Sequence, residues 1–150
     1  NNISDITPVA KLTRLKDLNL GSNKITDISP LVNLTAMKYL FLNDNDISDI
    51  NPIKNMTELQ RLFLVNNNIS DIGVLANLVN LDTLKILGNK ITDISVLSKL
   101  PKLKNVDISE DSISIPVVTG VEEGKTYNAA RVITFDHGLA ALKNNSMSWS

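Results

Sequence analysis

The stretch Asn-Lys-Ile-Thr-Asp-Ile-Ser occupies residues 23–29 and occurs again, unchanged, at residues 89–95. The two copies start 66 residues apart, which is three steps of 22. A period of 20–50 residues indicates structural units that stack on their neighbours into a solenoid. After a half repeat from Asn1, the repeats begin at Leu12, Leu34, Met56, Leu78 and Leu100.

Seven positions of the repeat are Leu, Ile, Val or Met in every copy, within the pattern LxxLxxLxLxxNxIxxIxxL. The LxL step has a period of two, which predicts a short strand with both aliphatic side chains pointing inward. Stacked repeats then place these strands side by side in a parallel sheet. The spacing of Ile25, Ile28 and Leu31 has a period of three, which predicts 3₁₀ turns on the opposite face. The predicted N-caps of these turns precede prolines and are Thr7, Ser29 and Asn51.

The composition excludes several classes of function. The 150 residues include 15 basic and 16 acidic side chains and no cysteine, so the chain has neither a basic field for nucleic acid nor thiols for disulfides. No apolar run approaches the ~20 residues of a membrane-spanning helix, and we expect no membrane insertion. The only histidine, His137, lies in Asp-His-Gly, which we interpret as a turn. We therefore expect no catalytic residue, cofactor or metal site.

The repeat resembles the leucine-rich repeat in its 22-residue, internalin-type form. The residues that support the resemblance follow LxxLxLxxNxI[ST]DIxPL, as in residues 15–31, and the match extends over residues 1–113. The resemblance implies a leucine-rich repeat solenoid with a concave parallel sheet and convex 3₁₀ turns. It also implies a monomeric, non-catalytic module, on the surface of a Gram-positive bacterium or secreted, whose concave sheet binds a host or cell-surface protein.

The repeat pattern divides the chain into an array over residues 1–114 and a different segment over residues 115–150. Within the second segment, Val117–Val121 and Arg131–Phe135 are predicted to be strands. This segment resembles the opening of an Ig-like module, a β-sandwich that needs about 100 residues in full. The array also begins within a repeat, without the helical cap of internalins, so we expect the chain to be part of a longer protein.

Two polar columns run through the repeats. Asparagines are expected to hydrogen-bond the backbone where the chain leaves each strand, since a carboxamide both donates and accepts; they are Asn23, Asn45, Asn67 and Asn89. The second column consists of Asp5, Asp27, Asp49, Asp71 and Asp93. Neighbouring carboxylates about 5 Å apart repel by about 0.8 kcal/mol even in water. We favour capping of backbone N–H groups over calcium binding, because calcium needs six to eight oxygens.

The outward positions of the predicted strands are not constrained by the core, so their side chains bear on function. These fifteen positions include three of the six aromatic residues of the chain. Aromatic and arginine side chains within a polar rim are typical of a protein-binding hot spot, although aromatic residues are also common in ordinary strands. The predicted partner-binding residues are Tyr39, Phe41, Arg61, Phe63, Val65, Lys85 and Leu87.

Several functions are compatible with this sequence. The first is an adhesion module that binds a protein partner through the concave sheet. The alternative is a structural spacer in a multidomain cell-wall protein, with no ligand of its own. A carbohydrate-binding surface on the same aromatic residues is a third hypothesis. A role in a haem-linked iron-acquisition system is neither favoured nor excluded by these residues.

Overall fold

The computed structural model describes residues 1–108 and the backbone of two later strands. Each repeat forms one rung, which consists of a short strand, a turn and a 3₁₀ segment. The strands are β1 Asp17–Asn19, β2 Tyr39–Phe41, β3 Arg61–Phe63, β4 Thr83–Lys85, β5 Asn105–Ile108, β6 Val132–Phe135 and β7 Gly138–Ala140. The 3₁₀ segments are η1 Thr7–Lys11, η2 Ser29–Leu31, η3 Asn51–Ile53, η4 Gly73–Asn77 and η5 Ser95–Lys99.

Strands β1 to β5 pair in parallel and in chain order. Each residue lies opposite the residue 22 positions later, so that Leu18 pairs with Leu40 and Leu40 pairs with Leu62. The period of the sequence is therefore the register of the sheet, and the rungs stack without a shift. This confirms the predicted solenoid, with a parallel sheet on one side and 3₁₀ turns on the other.

The core lies between the sheet and the 3₁₀ segments, and its buried apolar side chains are Leu, Ile, Val and Met. Leu59, Leu62 and Leu64 are fully buried in the rung that contains β3. Burying one such side chain contributes about 1.5–3 kcal/mol relative to leaving it exposed. A single rung offers only one layer of these side chains, so the core exists only as a stack.

The first described rung exposes part of the aliphatic columns. Ile3 and Leu12 are 42% and 51% exposed, whereas Leu34 and Met56, which follow Leu12 in its column, are fully buried. Leu34 and Met56 lie between two described rungs, which cover them on both sides.

The predicted N-caps of the 3₁₀ segments are wrong by one position. Segment η2 begins at Ser29 itself, and the preceding residue, Ile28, makes no side-chain capping bond. Instead Asp27 reaches forward, and its Oδ1 accepts the Ser29 backbone N–H at 2.7 Å. Prolines therefore occupy the second position of the segment, where a missing N–H costs nothing.

Beyond β5, the structure describes only the backbone of β6 and β7. Strand β6, which overlaps the predicted strand Arg131–Phe135, pairs in parallel with β5, and β7 pairs antiparallel with β6. These two strands extend the same sheet rather than starting a separate one. The predicted strand Val117–Val121 and the Asp136–His137 turn lie outside the described residues, so the Ig-like module and the boundary at 114 stay predictions.

Candidate protein-binding surface on the concave sheet

Along each strand, side chains alternate between the core and the opposite face of the sheet, which is here called the concave face. In β2, Leu40 is buried while Tyr39 and Phe41 are half-buried on the other face. In β3, Leu62 is buried, with Arg61 exposed and Phe63 half-buried. The seven residues predicted to bind a partner are called the concave patch; they are Tyr39, Phe41, Arg61, Phe63, Val65, Lys85 and Leu87.

An aromatic pair forms the centre of the concave patch. The register places Phe41 opposite Phe63, and their ring centroids lie 4.9 Å apart at an interplanar angle of 82°. Such an edge-to-face contact contributes about 0.5–1.5 kcal/mol beyond the area it buries. Beside the pair, the hydroxyl of Tyr39 donates a hydrogen bond to Gln60 Oε1 at 3.3 Å.

Two cations lie over rings of the patch. The Arg61 guanidinium carbon is 5.5 Å from the centroid of the Tyr39 ring, and Lys85 Nζ is 5.5 Å from that of Phe63. Lys85 also forms an ion pair with Asp107, whose Oδ2 lies 2.7 Å from Nζ. Cation–π contacts at such partly exposed sites contribute about 0.5–1 kcal/mol each. They hold both basic side chains beside the aromatic residues.

The apolar members of the patch are half-buried, rather than exposed as their sequence positions suggested. Among the described residues, the large apolar side chains that are mostly exposed lie elsewhere; they are Ile3, Leu12, Val32 and Val79. The edge-to-face packing and the two cations cover part of the aromatic surface. The aromatic side chains of the patch therefore restrain one another and the two basic side chains.

The asparagine column ties each rung to the one before it. Asn67 is only 7% exposed, and its Nδ2 donates to the carbonyls of Leu42 and Leu64 at 2.9 and 3.1 Å. Its Oδ1 accepts the Ile47 N–H at 3.0 Å, and Asn45 makes the same set of bonds one rung earlier. Within the described residues, no buried side-chain polar atom lacks a partner.

The aspartate column caps the 3₁₀ segments. Each Oδ1 accepts a backbone N–H two residues later at 2.7–2.8 Å; the donors are Thr7, Ser29, Asn51, Gly73 and Ser95. Thr7 lowers the pKa of Asp5 through its hydroxyl and then its backbone N–H. Ser29 and Ser95 lower the pKa of Asp27 and Asp93 through their backbone N–H groups and then their hydroxyls. These bonds are the backbone capping that the sequence analysis favoured.

The stacked geometry agrees with what is known of similar proteins. A model of leucine-rich repeats in two-copy blocks matches residues 1–33, 13–55, 35–77 and 57–98, which is most of the chain. The chain belongs to the leucine-rich repeat family. Leucine-rich repeat solenoids present extended sheet surfaces to protein partners, and the matched residues include all of the concave patch.

The leucine-rich repeat array is of the internalin type. It is 45% identical to an internalin, InlF, from Listeria monocytogenes, with a TM-score of 0.74 over 76% of this chain and 34% of that one. Internalin C2 from the same organism is 34% identical, with a TM-score of 0.77 over 89% of this chain and 57% of that one. The chain thus spans less than two thirds of either internalin. The functional domain of Listeria InlJ, 24% identical with a TM-score of 0.63, shares the fold. No curated protein matches the chain.

A further column of the leucine-rich repeats, not recognised in the sequence, has left-handed backbone. Ser22, Asp44 and Asn66 have φ of 56°, 55° and 54°, and Gly88 has φ of 69°. Each of these residues directly precedes a member of the asparagine column, where the chain turns sharply away from the strand. Asn, Asp and Gly tolerate this backbone region best. Their recurrence one position before asparagines of the column is the sequence signal that could have predicted the left-handed backbone.

The described residues of the leucine-rich repeat chain also bear on metal binding and membrane insertion. Across these residues, no group of three His, Cys, Asp or Glu side chains is placed to hold a metal ion. No helix among them is long and apolar enough to cross a membrane.

Proposed function

We propose that this array binds a host or cell-surface protein through its concave face, as part of an internalin-like adhesin that is secreted or displayed on a bacterial cell surface. It acts as a monomer and without catalysis. The observation that supports this proposal most directly is the contiguous aromatic pair, Phe41 and Phe63, flanked by Arg61 and Lys85. Aromatic and arginine side chains of this kind dominate the energetics of protein interfaces.

The size of the sheet limits what the patch contributes. The five strands of the repeat array, β1 to β5, give a width of about 24 Å at ~4.8 Å spacing, and each strand with its flanking outward position spans roughly 15 Å, so the footprint is about 360 Å². A stable interface buries about 800 Å² on each partner. The patch therefore supplies an anchor within a larger contact rather than a whole interface.

One observation favours the alternative, a structural spacer. The aromatic residues are half-buried against one another and against the two cations, so part of their apolar surface is already satisfied within the array. A spacer would need no more than this. The two functions differ in whether substitutions on the concave face change any binding.

The test is affinity capture from host-cell and serum extracts with two baits, the parent chain and the double variant Phe41→Ser/Phe63→Ser. Captured proteins are identified by mass spectrometry. A matched control, Val32→Ser/Val79→Ser, removes two apolar side chains that are exposed but lie off the concave face. Circular dichroism establishes that all baits are folded.

We expect a protein that the parent and the control retain and that the concave variant loses. Its affinity for the concave variant should fall by about 2 kcal/mol, which is about 30-fold. Identical captures with all three folded baits would contradict the binding proposal and support the spacer. Release of the captured protein by soluble glycans would instead indicate recognition of carbohydrate.

A further inference from the structure

We infer that the partner presents a carboxylate next to an aromatic or large aliphatic side chain, with the carboxylate on Arg61 and the apolar side chain on Phe41 and Phe63. This inference rests on the proposed function and specifies the chemistry of the segment that the concave patch binds. The observations behind it are the uncompensated charge of Arg61 and its position within the patch.

The two cations of the patch differ in how their charge is balanced. Lys85 forms an ion pair with Asp107 at 2.7 Å, which is the one ion pair described within residues 1–108. Arg61 is exposed, and the contact described for its guanidinium is with the Tyr39 ring. One basic side chain of the patch is therefore neutralised, and the other is available to an incoming anion.

The two residues opposite Arg61 in the sheet carry no carboxylate themselves. Tyr39 and Thr83 lie directly opposite it on the adjacent strands. The Thr83 hydroxyl donates to Asp82 Oδ1 at 2.7 Å, but within residues 1–108 the structure describes no ion pair between Asp82 and Arg61. The acidic residues of the same face, Asp17 and Asp107, belong to strands two positions away on either side, which is roughly 10 Å at the usual strand spacing. At that distance solvent and salt screen most of the attraction.

Contact with Tyr39 positions Arg61 without using its hydrogen-bonding capacity. A cation–π contact engages the charge through the ring, and the guanidinium has five N–H donors arranged to grip a carboxylate with two parallel bonds. Lysine lacks this planar fork. A carboxylate is therefore the partner group that Arg61 is best suited to bind.

The spacing along β3 fixes how close the two partner groups must be. Arg61 and Phe63 are two residues apart in one strand, so their side chains lie on the same face at roughly 7 Å. Phe41 lies opposite Phe63 and widens the apolar contact. The small footprint of the patch suits a loop or short segment in which an acidic residue lies within one to three positions of an apolar one.

The experiment uses a display library of random, disulfide-constrained peptides as the probe. Selection on the full chain is accompanied by counter-selection on folded Phe41→Ser/Phe63→Ser. Enriched peptides are then synthesised and titrated against the parent, Arg61→Gln, Arg61→Lys and a control, Arg14→Gln. Arg14 is likewise an exposed arginine, in the first rung and outside the patch.

We expect enriched peptides to have Asp or Glu within three positions of Trp, Tyr, Phe or Leu. Arg61→Gln should weaken their binding about tenfold, as expected for loss of a charge-assisted bond. Arg61→Lys should fall between Arg61→Gln and the parent, Arg14→Gln should match the parent, and added salt should weaken binding to the parent more than binding to Arg61→Gln.

Two other outcomes separate this inference from the proposed function. Peptides that require Phe41 and Phe63 but lack acidic residues, or bind Arg61→Gln as well as the parent, would overturn the inference and leave the binding function in place. If no peptide discriminated the parent from Phe41→Ser/Phe63→Ser, the concave patch would not be a binding site, and both proposals would fail.

Discussion

Replacing Asn67 with alanine tests whether the asparagine column holds the rungs together. The substitution leaves the buried N–H of Ile47 without its acceptor, at a cost of about 2 kcal/mol. The carbonyls of Leu42 and Leu64 each lose one bond, at about 1 kcal/mol apiece, but keep a second donor from Asn45 and Asn89 respectively. The sum is about 4 kcal/mol, which is a large part of the stability of a typical small domain.

Urea unfolding followed by far-UV circular dichroism measures this loss, and hydrogen exchange at Ile47 localises it. The control is Asn68→Ala. Asn68 is the next residue, half-buried, and its described hydrogen bond is made by its backbone N–H to the Ile47 carbonyl. We expect Asn68→Ala to change stability by less than about 0.5 kcal/mol. Equal stabilities of the two variants would refute the role given to the column.

Three further predictions concern the scaffold. Leu78→Ala should cost about 3 kcal/mol in urea unfolding because Leu78 is fully buried, whereas Leu12→Ala, at a 51% exposed position of the same column, should cost less than about 1 kcal/mol. Gly88→Ala should cost about 1–2 kcal/mol in the same assay, since φ is +69° and a Cβ would lie 2.3 Å from Asn66 Oδ1. Acid should destabilise the array, because the pKa values of Asp5, Asp27 and Asp93 in the folded state are lower than the ordinary aspartate pKa of 3.8. The stability that these groups contribute above pH 3.8 is lost as the pH falls through their folded-state pKa values. Urea midpoints from neutral pH to about pH 2 should therefore fall less in Asp5→Asn/Asp27→Asn/Asp93→Asn.

Each of these three has an outcome that would contradict it. Equal losses for Leu78→Ala and Leu12→Ala would mean that burial does not determine the contribution of the column. Gly88→Ala should be compared with Gly21→Ala, whose Cβ would lie 3.3 Å from Asn19 Oδ1 and 3.5 Å from the Asn43 carbonyl oxygen and whose φ is not positive. Equal stability of the two variants would argue against strain at Gly88. An acid transition that is unchanged in the triple variant would show that the caps do not contribute to it.

The architecture was predictable because stacking converts distance along the chain into position in space. Leu40 and Leu62 are 22 residues apart and lie opposite each other, so the alignment of repeats already contained the strand register. The same alignment predicted the aspartate caps, since a carboxylate at a fixed offset before each turn can reach the same N–H in every rung.

Details that depend on one residue of offset were not predictable in this way. The residues Thr7, Ser29 and Asn51 were expected to precede the 3₁₀ segments but begin them. Boundaries of short helices shift by a residue without changing the hydrophobic pattern. The left-handed position at Ser22, Asp44, Asn66 and Gly88 was missed because its residue types vary, although all of them except serine favour that backbone.

The sequence predicted which face of the sheet the residues of the concave patch occupy, but not how their side chains pack against one another. Strand alternation placed Phe41 and Phe63 on one face, and the register placed them side by side. Their half-buried state and the contact of Arg61 with Tyr39 depend on rotamers, which the sequence pattern does not specify.

The separation of scaffold and surface explains why the binding test needs a double substitution. One column consists only of aliphatic residues, namely Leu18, Leu40, Leu62, Leu84 and Val106. The adjacent outward column contains five different residue types: Asp17, Tyr39, Arg61, Thr83 and Asn105. Outward side chains can therefore vary without loss of the core. Phe41 and Phe63, however, contact each other across two rungs, so removing one ring frees the other to repack, and single substitutions are not additive. The double substitution removes both rings and their mutual contact together, and comparison with the two single substitutions separates the coupling between the rings from their effect on binding.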